Sequence, residues 1–276
     1  LATFFDYPEL SYWMKNLIVA MAGNTSMHAV WKAGDANFDL FVAYYGDIED
    51  RYSTDGKYYE RAKGTKFHIL HQLAEKHQDV FSKYDAIFVP DDDMYMETDD
   101  INRFLDIFHQ HKLEIAQPSI FGWISVPITA HVPFSKLRYV NWVEIMCPCF
   151  SSDAFYKCLH TFLENKTNWC IEFLWNKILG EPKDKIAIID EVIAIHTRPC
   201  FYGDTYWNNN TTFQGAMQEA DDLLKKHKIN GKRVVYSTVH ADVDEFHNRG
   251  SDMKFIPNLS WFKPHVSGLR LRGIKQ

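Results

Sequence analysis

Apolar and polar positions change rhythm several times along the chain. Asn16-Leu17-Ile18-Val19-Ala20-Met21-Ala22 is nearly all apolar and closes on the turn formers Gly23-Asn24-Thr25-Ser26, which predicts a buried strand. Phe38 to Tyr45 is β-rich, stops at Gly46-Asp47 and predicts a second strand. The spacing then lengthens, with Phe67, Leu70, His71, Leu73 and Ala74 on one helical face. Ala86-Ile87-Phe88-Val89-Pro90 predicts another buried strand and runs straight into Asp91-Asp92-Asp93. Ile101 to His111 reads as a helix with Thr98-Asp99-Asp100 as N-cap material, and Leu113 to Gln117 as a short strand. Pro118, Pro127, Pro133 and Pro148 punctuate the stretch from Pro118 to Phe150, which reads as an irregular excursion of the kind that builds a substrate wall. Helices are expected over Ser152 to Asn165 and Ile171 to Leu179. Strands are expected over Lys185 to Ile189 and Val192 to Ile195, the second ending at His196. A polar helix from Phe213 to His227, closed at Asn230-Gly231, precedes an added or edge strand over Val234 to Val239.

This alternation predicts an α/β protein with a mixed, mostly parallel sheet flanked by helices. In such sheets ligands bind outside the carboxyl ends of the strands, where Asp91, Asp92 and Asp93 fall. Three adjacent like charges repel unless a cation or a donor-rich ligand neutralises them. Oxygen ligation suits Mg²⁺ or Mn²⁺, which keep coordination positions for substrate phosphates. The competing reading is a solvated acidic loop capping the helix at Ile101. Asp-x-Asp also opens the phosphatases that form an aspartyl-phosphate, but their pattern sits near the chain start and expects Thr or Val where this chain has Tyr95.

Composition narrows the partners. A formal net charge of −6 argues against nucleic acid, whose binding needs a basic footprint. Aromatic content of 15% is high and suits sugar or base pockets, although core packing accounts for most aromatics. From Arg249 onward the tail carries Lys254, Lys263, Arg270, Arg272 and Lys275 against Asp252, which suits a peripheral contact with an anionic membrane or a solvated basic end. Cys147, Cys149, Cys158, Cys170 and Cys200 contain no CxxC pair, so a reducing, cytoplasmic setting is expected. No apolar stretch approaches the roughly 20 residues of a membrane helix. The chain opens at Leu1 without an initiator Met, which reads as a trimmed piece with room for a removed N-terminal anchor.

Four more residues carry candidate chemistry. His196 can complete a metal site and Arg198, two residues on, can grip a diphosphate with its planar fork. Glu172, set in Trp169-Cys170-Ile171-Glu172-Phe173-Leu174-Trp175, is a carboxylate whose burial would raise its pKa and suit it as a general base. Glu144, in Asn141-Trp142-Val143-Glu144-Ile145-Met146, is the rival and ranks second.

As an ordered set these residues resemble a family. Asn16 to Asn24, Ser26-x-His28-x-x-Trp31, Phe38-Asp39-Leu40 to Asp47 and Lys63-Gly64-x-Lys66 are its first segments. Tyr84-Asp85 to Asp93, Gln117-Pro118, Val143-Glu144-x-Met146-x-Pro148 and His196-Thr197-Arg198-Pro199 complete it. Together they look like the domain of unknown function 707, from about Asn16 to about Trp207. That family is similar to glycosyltransferases of the GT-A (Rossmann-like) fold. The resemblance implies a catalytic domain over 1–207; outside it, a helical and irregular basic extension over 208–276 is expected to pack on the same domain. It implies a nucleotide-sugar donor, UDP-sugar by default, and a glycan or lipid-linked glycan acceptor in polysaccharide biosynthesis. Asp93 would be the main metal ligand, Asp91 would lie near ribose or metal beside Asp92, and His196 would be the distal ligand. Ala22, Gly23, Asn24 and Asp47 would surround the nucleoside, Lys66 and Arg198 the phosphates, and Glu172 would occupy the place of the catalytic acid. A positioned base suffices for single displacement, so an inverting transfer is expected. Where such enzymes carry two adjacent acids, this chain has Ile171-Glu172. The alternatives are a non-catalytic glycan- or nucleotide-binding module of the same fold, or a nucleotidyltransferase.

Overall fold

Strand β1 (Asn16–Ala22) is buried at every position, and its side chains alternate between two cores. Leu17, Val19 and Met21 pack on one face of the sheet with Phe67, Phe155, Phe162 and Trp175, whereas Ile18, Ala20 and Ala22 pack on the other with Trp31, Phe104 and Leu105. Burial on both faces is why the run shows no polar alternation. Each fully buried Phe or Leu contributes about 1.5–3 kcal/mol relative to exposure. The computed structural model describes residues 14–200 and 212–241. The expectations for Asn208-Asn209-Asn210 and for the basic tail with its membrane contact lie outside the described residues.

β1 pairs in parallel with β2 (Phe38–Tyr44) and with β4 (Ala86–Phe88), and β2 pairs in parallel with β3 (Tyr58–Arg61). The sheet continues through β8 (Cys149–Ser151), β6 (Ile115–Gly122), β9 (Ile186–His196), β7 (Ser135–Val140) and β10 (Val235–His240), in the order β10-β7-β9-β6-β8-β4-β1-β2-β3. β5 (Met94–Tyr95) pairs with the end of β9. Seven strands, β1, β2, β3, β4, β6, β9 and β10, run one way, and β5, β7 and β8 run the other. The mixed, mostly parallel sheet expected from the sequence is therefore met, and the exits of β1, β2, β4, β6 and β9 share one edge.

Helices flank both faces. α2 (Lys66–Lys76), α3 (Gln78–Phe81), α5 (Ser152–Cys158) and α6 (Glu172–Ile178) supply the first core, and α1 (His28–Trp31) and α4 (Thr98–Gln110) the second. α7 (Phe213–His227) adds Leu223 to the first core and ends on Lys228 in the left-handed region. The compact unit extends to His240, so α7 and β10 belong with the sheet. No helix among the described residues is long and apolar enough to cross a membrane.

Several elements depart from the expected ones. The cap of α4 is Glu97, which with Asp100 forms a reciprocal capping box, one turn position earlier than the Thr98-Asp99-Asp100 reading. The helix expected over Ser152 to Asn165 is α5 followed by a tighter 3-10 turn at Leu159–Leu163. The stretch from Pro118 to Phe150 is not irregular throughout: β6 runs on to Gly122, and β7 and β8 lie inside it. Pro118 is tolerated because the β6–β9 register shifts between Pro118 and Ser119 and the β8 ladder reaches only Ala116. The two strands expected around Asp190-Glu191 form one element, β9, but its pairing with β6 steps from Ile189 to Ile193, so Asp190, Glu191 and Val192 bulge where the break was expected. Asp190 lies buried in mid-strand because Arg138 of β7 grips it with both forks, Nε to Oδ2 at 2.7 Å and Nη2 to Oδ1 at 2.9 Å.

Candidate functional site

The acidic loop leaves β4 at the common edge, and each carboxylate has a different duty. Asp92 is buried and fastens the loop to the β1 exit. Its Oδ2 accepts from the Gly23 N–H at 2.7 Å and from the Tyr45 hydroxyl at 3.3 Å, and its carbonyl accepts from the Met27 N–H at 2.8 Å. A side chain at Gly23 would place its Cβ 2.5 Å from the Tyr45 hydroxyl oxygen, so the close approach requires glycine. Burial pushes the Asp92 carboxyl up to about 6, against the pull of the Gly23 N–H and of Arg198, whose Nη1 is 3.4 Å from Oδ1. Arg198 also donates to the Thr25 carbonyl and hydroxyl at 3.0 and 2.8 Å, tying the β9 exit to the β1 turn.

Asp91 faces the other way. Lys66, at the start of α2, donates to its Oδ1 at 2.7 Å and to the carbonyls of Ile145 and Met146 at 2.7 and 2.8 Å. The Asp91 N–H in turn donates to the Met146 carbonyl at 2.8 Å, so the loop, α2 and the segment before β8 form one knot. Asp91 keeps 39% of its side chain open, yet the dense floor around it pushes its pKa up against the pull of Lys66, and the Asp93 charge adds to the rise.

Asp93 meets His196 because β5 pairs antiparallel with the end of β9, setting Met94 opposite His196. Thr197 fixes the join, donating to the Asp93 carbonyl from its N–H at 3.1 Å and its hydroxyl at 2.7 Å. Asp93 Oδ2 lies 3.4 Å from His196 Nε2, and its Oδ1 is buried with no hydrogen-bond partner. His196 Nδ1 donates to the Trp123 carbonyl at 2.7 Å, which turns Nε2 toward Asp93. Gly122, in the left-handed region at φ +92°, makes room: a Cβ there would stand 2.5 Å from the His196 carbonyl. Burial would lower the His196 pKa, but the Asp93 carboxylate outweighs it and pushes the imidazole up to about 11. Burial would raise the Asp93 pKa, and His196 instead holds it below the usual carboxylate range.

The remaining expected residues divide. Ala22 is buried and its carbonyl accepts from Tyr45 N–H at 3.0 Å. Asn24 is exposed at the same rim, its Oδ1 taking the Tyr44 hydroxyl at 2.5 Å and its carbonyl the Tyr52 hydroxyl at 3.0 Å. Asp47 is 88% exposed and paired with Lys63 at 2.8 Å, and Lys63 also donates to the carbonyl of Tyr45.

Glu144 and Glu172 are both buried, and each has one oxygen, Oε2, with no partner. Glu144 Oε1 accepts from the Ser125 hydroxyl, and its N–H donates to Gln117 Oε1 at 2.5 Å, so the Gln117-Pro118 and Val143-Glu144 segments meet. Glu172 opens α6, and its Oε1 accepts from the Trp142 indole at 3.2 Å. Burial pushes Glu172 up to about 8, with the Glu144 charge adding to the rise. Burial likewise raises Glu144, which also feels the charges of Asp91 and His196. Glu172 thus feels the Glu144 charge, and Glu144 that of Asp91 in the acidic loop.

Tyr45, Trp123, Ser125, Asn141 and Thr197 were not singled out from the sequence, although each lies within or beside a segment that carries the family resemblance. Arg233 was missed altogether, having no neighbour in sequence that points to a site.

The family described as protein of unknown function (DUF707) matches residues 62–137, which include Lys66 and the acidic loop. No curated protein matches the chain. Among solved structures, one from Desulfovibrio desulfuricans G20, described as a nucleotide-diphospho-sugar transferase, aligns at 9% identity and TM-score 0.42, covering 77% of this chain and 97% of that one. S. aureus TarS aligns at 9% identity and TM-score 0.47 over 78% of this chain and 43% of that one. TarS 1–349 in complex with UDP-GlcNAc aligns at 10% identity and TM-score 0.45, covering 78% and 72%. The resemblance read from the ordered motifs is met where the acidic loop lies, with DUF707 as the matching family over residues 62–137.

Proposed function

We propose that the chain is a metal-dependent glycosyltransferase of GT-A type, moving a sugar from a nucleotide-diphosphate donor to a glycan or lipid-linked glycan acceptor. The observation that carries the reading is the unpartnered, buried Oδ1 of Asp93 beside a histidine whose Nδ1–H is already committed to a carbonyl. A bond of this kind, from Nδ1 to a backbone carbonyl, sets a histidine to offer Nε2 to a cation. Among the described residues no three His, Cys, Asp or Glu side chains form a cage. Asp93 and His196 therefore fit a cation that takes its other ligands from water and substrate phosphates, the habit of Mg²⁺ and Mn²⁺. Bound there, the cation would neutralise the diphosphate leaving group.

The chain's own groups supply the rest. Uptake of a cation requires His196 to give up its Nε2 proton. Arg198, with 38% of its side chain open, is available to a phosphate from its position between Thr25 and Asp92. Lys66 acts through Asp91, holding the loop in shape. Glu172 accepts the proton of the acceptor hydroxyl, and its pKa of about 8 lies near working pH, as a general base needs. A single positioned base suits one displacement and inversion at the sugar carbon.

The test is a thermal-shift screen of nucleoside diphosphates with Mn²⁺ on the native chain and on Asp93→Ala. A ligand held at a hundred times its Kd should stabilise the native chain by about 2.7 kcal/mol. The reading expects a metal-dependent shift with one nucleotide that Asp93→Ala loses. No shift with any nucleotide would overturn it, and a shift without turnover of any nucleotide sugar would leave a binding module.

A further inference from the structure

A second built feature lies on the glutamate side of the sheet. β10 pairs antiparallel with β7, and this brings the segment before β10 back across Asn141-Trp142. Asn141 holds both peptide groups flanking Arg233: its Nδ2 donates to the Lys232 carbonyl at 2.8 Å and its Oδ1 accepts from the Val234 N–H at 2.7 Å. A third bond, from the Asn141 N–H to the Val234 carbonyl at 3.1 Å, completes the clamp. The Arg233 guanidinium then lies 4.3 Å from the centre of the Trp142 ring and 4.9 Å from that of Phe173. Trp142 is itself fixed from below by its indole bond to Glu172.

A long cation that merely covers apolar surface needs no pinned backbone. Here the position of the guanidinium is determined at both ends, by the clamp and by the two rings. Arg233 is exposed and makes no hydrogen bond or ion pair among the described residues. Nor is its charge cancelled from within. Glu172, pushed up to about 8, is largely uncharged at neutral pH, and Glu144 is raised as well. A preorganised guanidinium with free donors is suited to a planar or tetrahedral anion, which it binds through paired, charge-assisted bonds.

We propose that Arg233, mounted on Trp142 and Phe173 beside the two buried glutamates, is a recognition site for an anionic group, a carboxylate or a phosphate carried by the acceptor sugar. Naming the anion's owner as the acceptor rests on the transferase reading; the anion site itself does not.

The experiment titrates the full chain, without nucleotide or metal, with D-glucuronate, glucose 6-phosphate and glucose. It follows the Trp142 indole N–H and the Arg233 Nε–H by nitrogen-proton NMR. Both signals should move saturably with at least one anionic sugar and stay in place with glucose. Response to glucuronate alone assigns a carboxylate, and to glucose 6-phosphate alone a phosphate. Arg233→Gln should weaken the binding by at least about tenfold, the low end for a charged hydrogen bond. Arg233→Lys, which keeps the charge and loses the fork, should fall between, and it serves as the folded comparison if Arg233→Gln spectra are poor. Equal response to glucose, no response to either anion, or unchanged binding in both variants would overturn the proposal. Because no donor is present, a failed nucleotide screen and a failed anion titration are separate results.

Discussion

The acidic loop and the glutamate wall hold their carboxylates in opposite ways. In the loop, Asp91 is tied to Lys66, Asp92 to Gly23, Tyr45 and Arg198, and Asp93 to His196, and one buried oxygen, Asp93 Oδ1, is left without a partner. In the wall, Glu144 and Glu172 each keep an unpartnered buried oxygen, and their nearest donors are a serine hydroxyl and an indole, neither of them cationic. Compensating cations hold charge in place, whereas buried carboxylates without them drift toward the neutral form. In the loop His196 holds Asp93 below the usual carboxylate range, while burial still raises Asp91 and Asp92 against their partners; in the wall no paired cation opposes the rise, and the glutamates are built to exchange a proton. The same residue type serves two purposes because of what the fold brings beside it.

The sharpest way to break this contrast is to remove each glutamate's charge in turn. Glu172→Gln should lower turnover by about 10²–10⁴-fold, the range for a general base, and leave the nucleotide-induced thermal shift unchanged. Glu144→Gln should cost less; if it costs more, the base is Glu144 and the order of the two is reversed. Steady-state kinetics on both variants decides it. A second test breaks the buried pair that holds the segment from Ile128 to Val132. Asp190→Ala leaves Arg138 buried without its partner and should destabilise the chain by about 3–5 kcal/mol in denaturant unfolding, the range for breaking a buried pair. The variant's nucleotide-induced shift should persist, since no loop residue is touched.

A third test is in pH dependence. Glu172 has its folded pKa raised from 4.5 to about 8, so the folded state binds the extra proton between those values. Its contribution is full below about 4.5 and is lost as pH rises through about 8. Native chain should lose stability across that window, and Glu172→Gln should show a flatter profile. Each kcal/mol lost lowers Tm by about 2–4 °C in a domain of this size, which calorimetry resolves.

Much of the frame was legible because burial on both faces leaves an uninterrupted apolar run, as in β1, and because the acids follow such a run directly. Asp93 and His196 were legible as candidates for the same reason, each ending or following a strand. What was illegible came from long-range pairing. Asp190 looked like a break in β9 because its partner, Arg138, is 52 residues away, and a charged pair inside a strand has the local signature of a turn. Pro118 looked like an end because the register shift that accommodates it belongs to β9 as much as to β6. Arg233 shows nothing locally, since its role depends on Asn141, 91 or 93 residues from the atoms it clamps. The individual duties of the three aspartates were likewise set by partners supplied from other elements.

β9 has one further consequence. It carries Asp190, paired with Arg138, and His196, which faces the loop, six positions apart. Between them the pairing with β6 steps from Pro118–Ile189 to Ser119–Ile193, so Asp190, Glu191 and Val192 bulge out against a single step of the partner strand. Beyond the bulge the ladder from Ser119–Ile193 to Gly122–His196 sets which face His196 takes. A change of length confined to the bulge would therefore leave His196 on its side of the sheet, whereas a slip of one residue after Ile193 would turn it to the other.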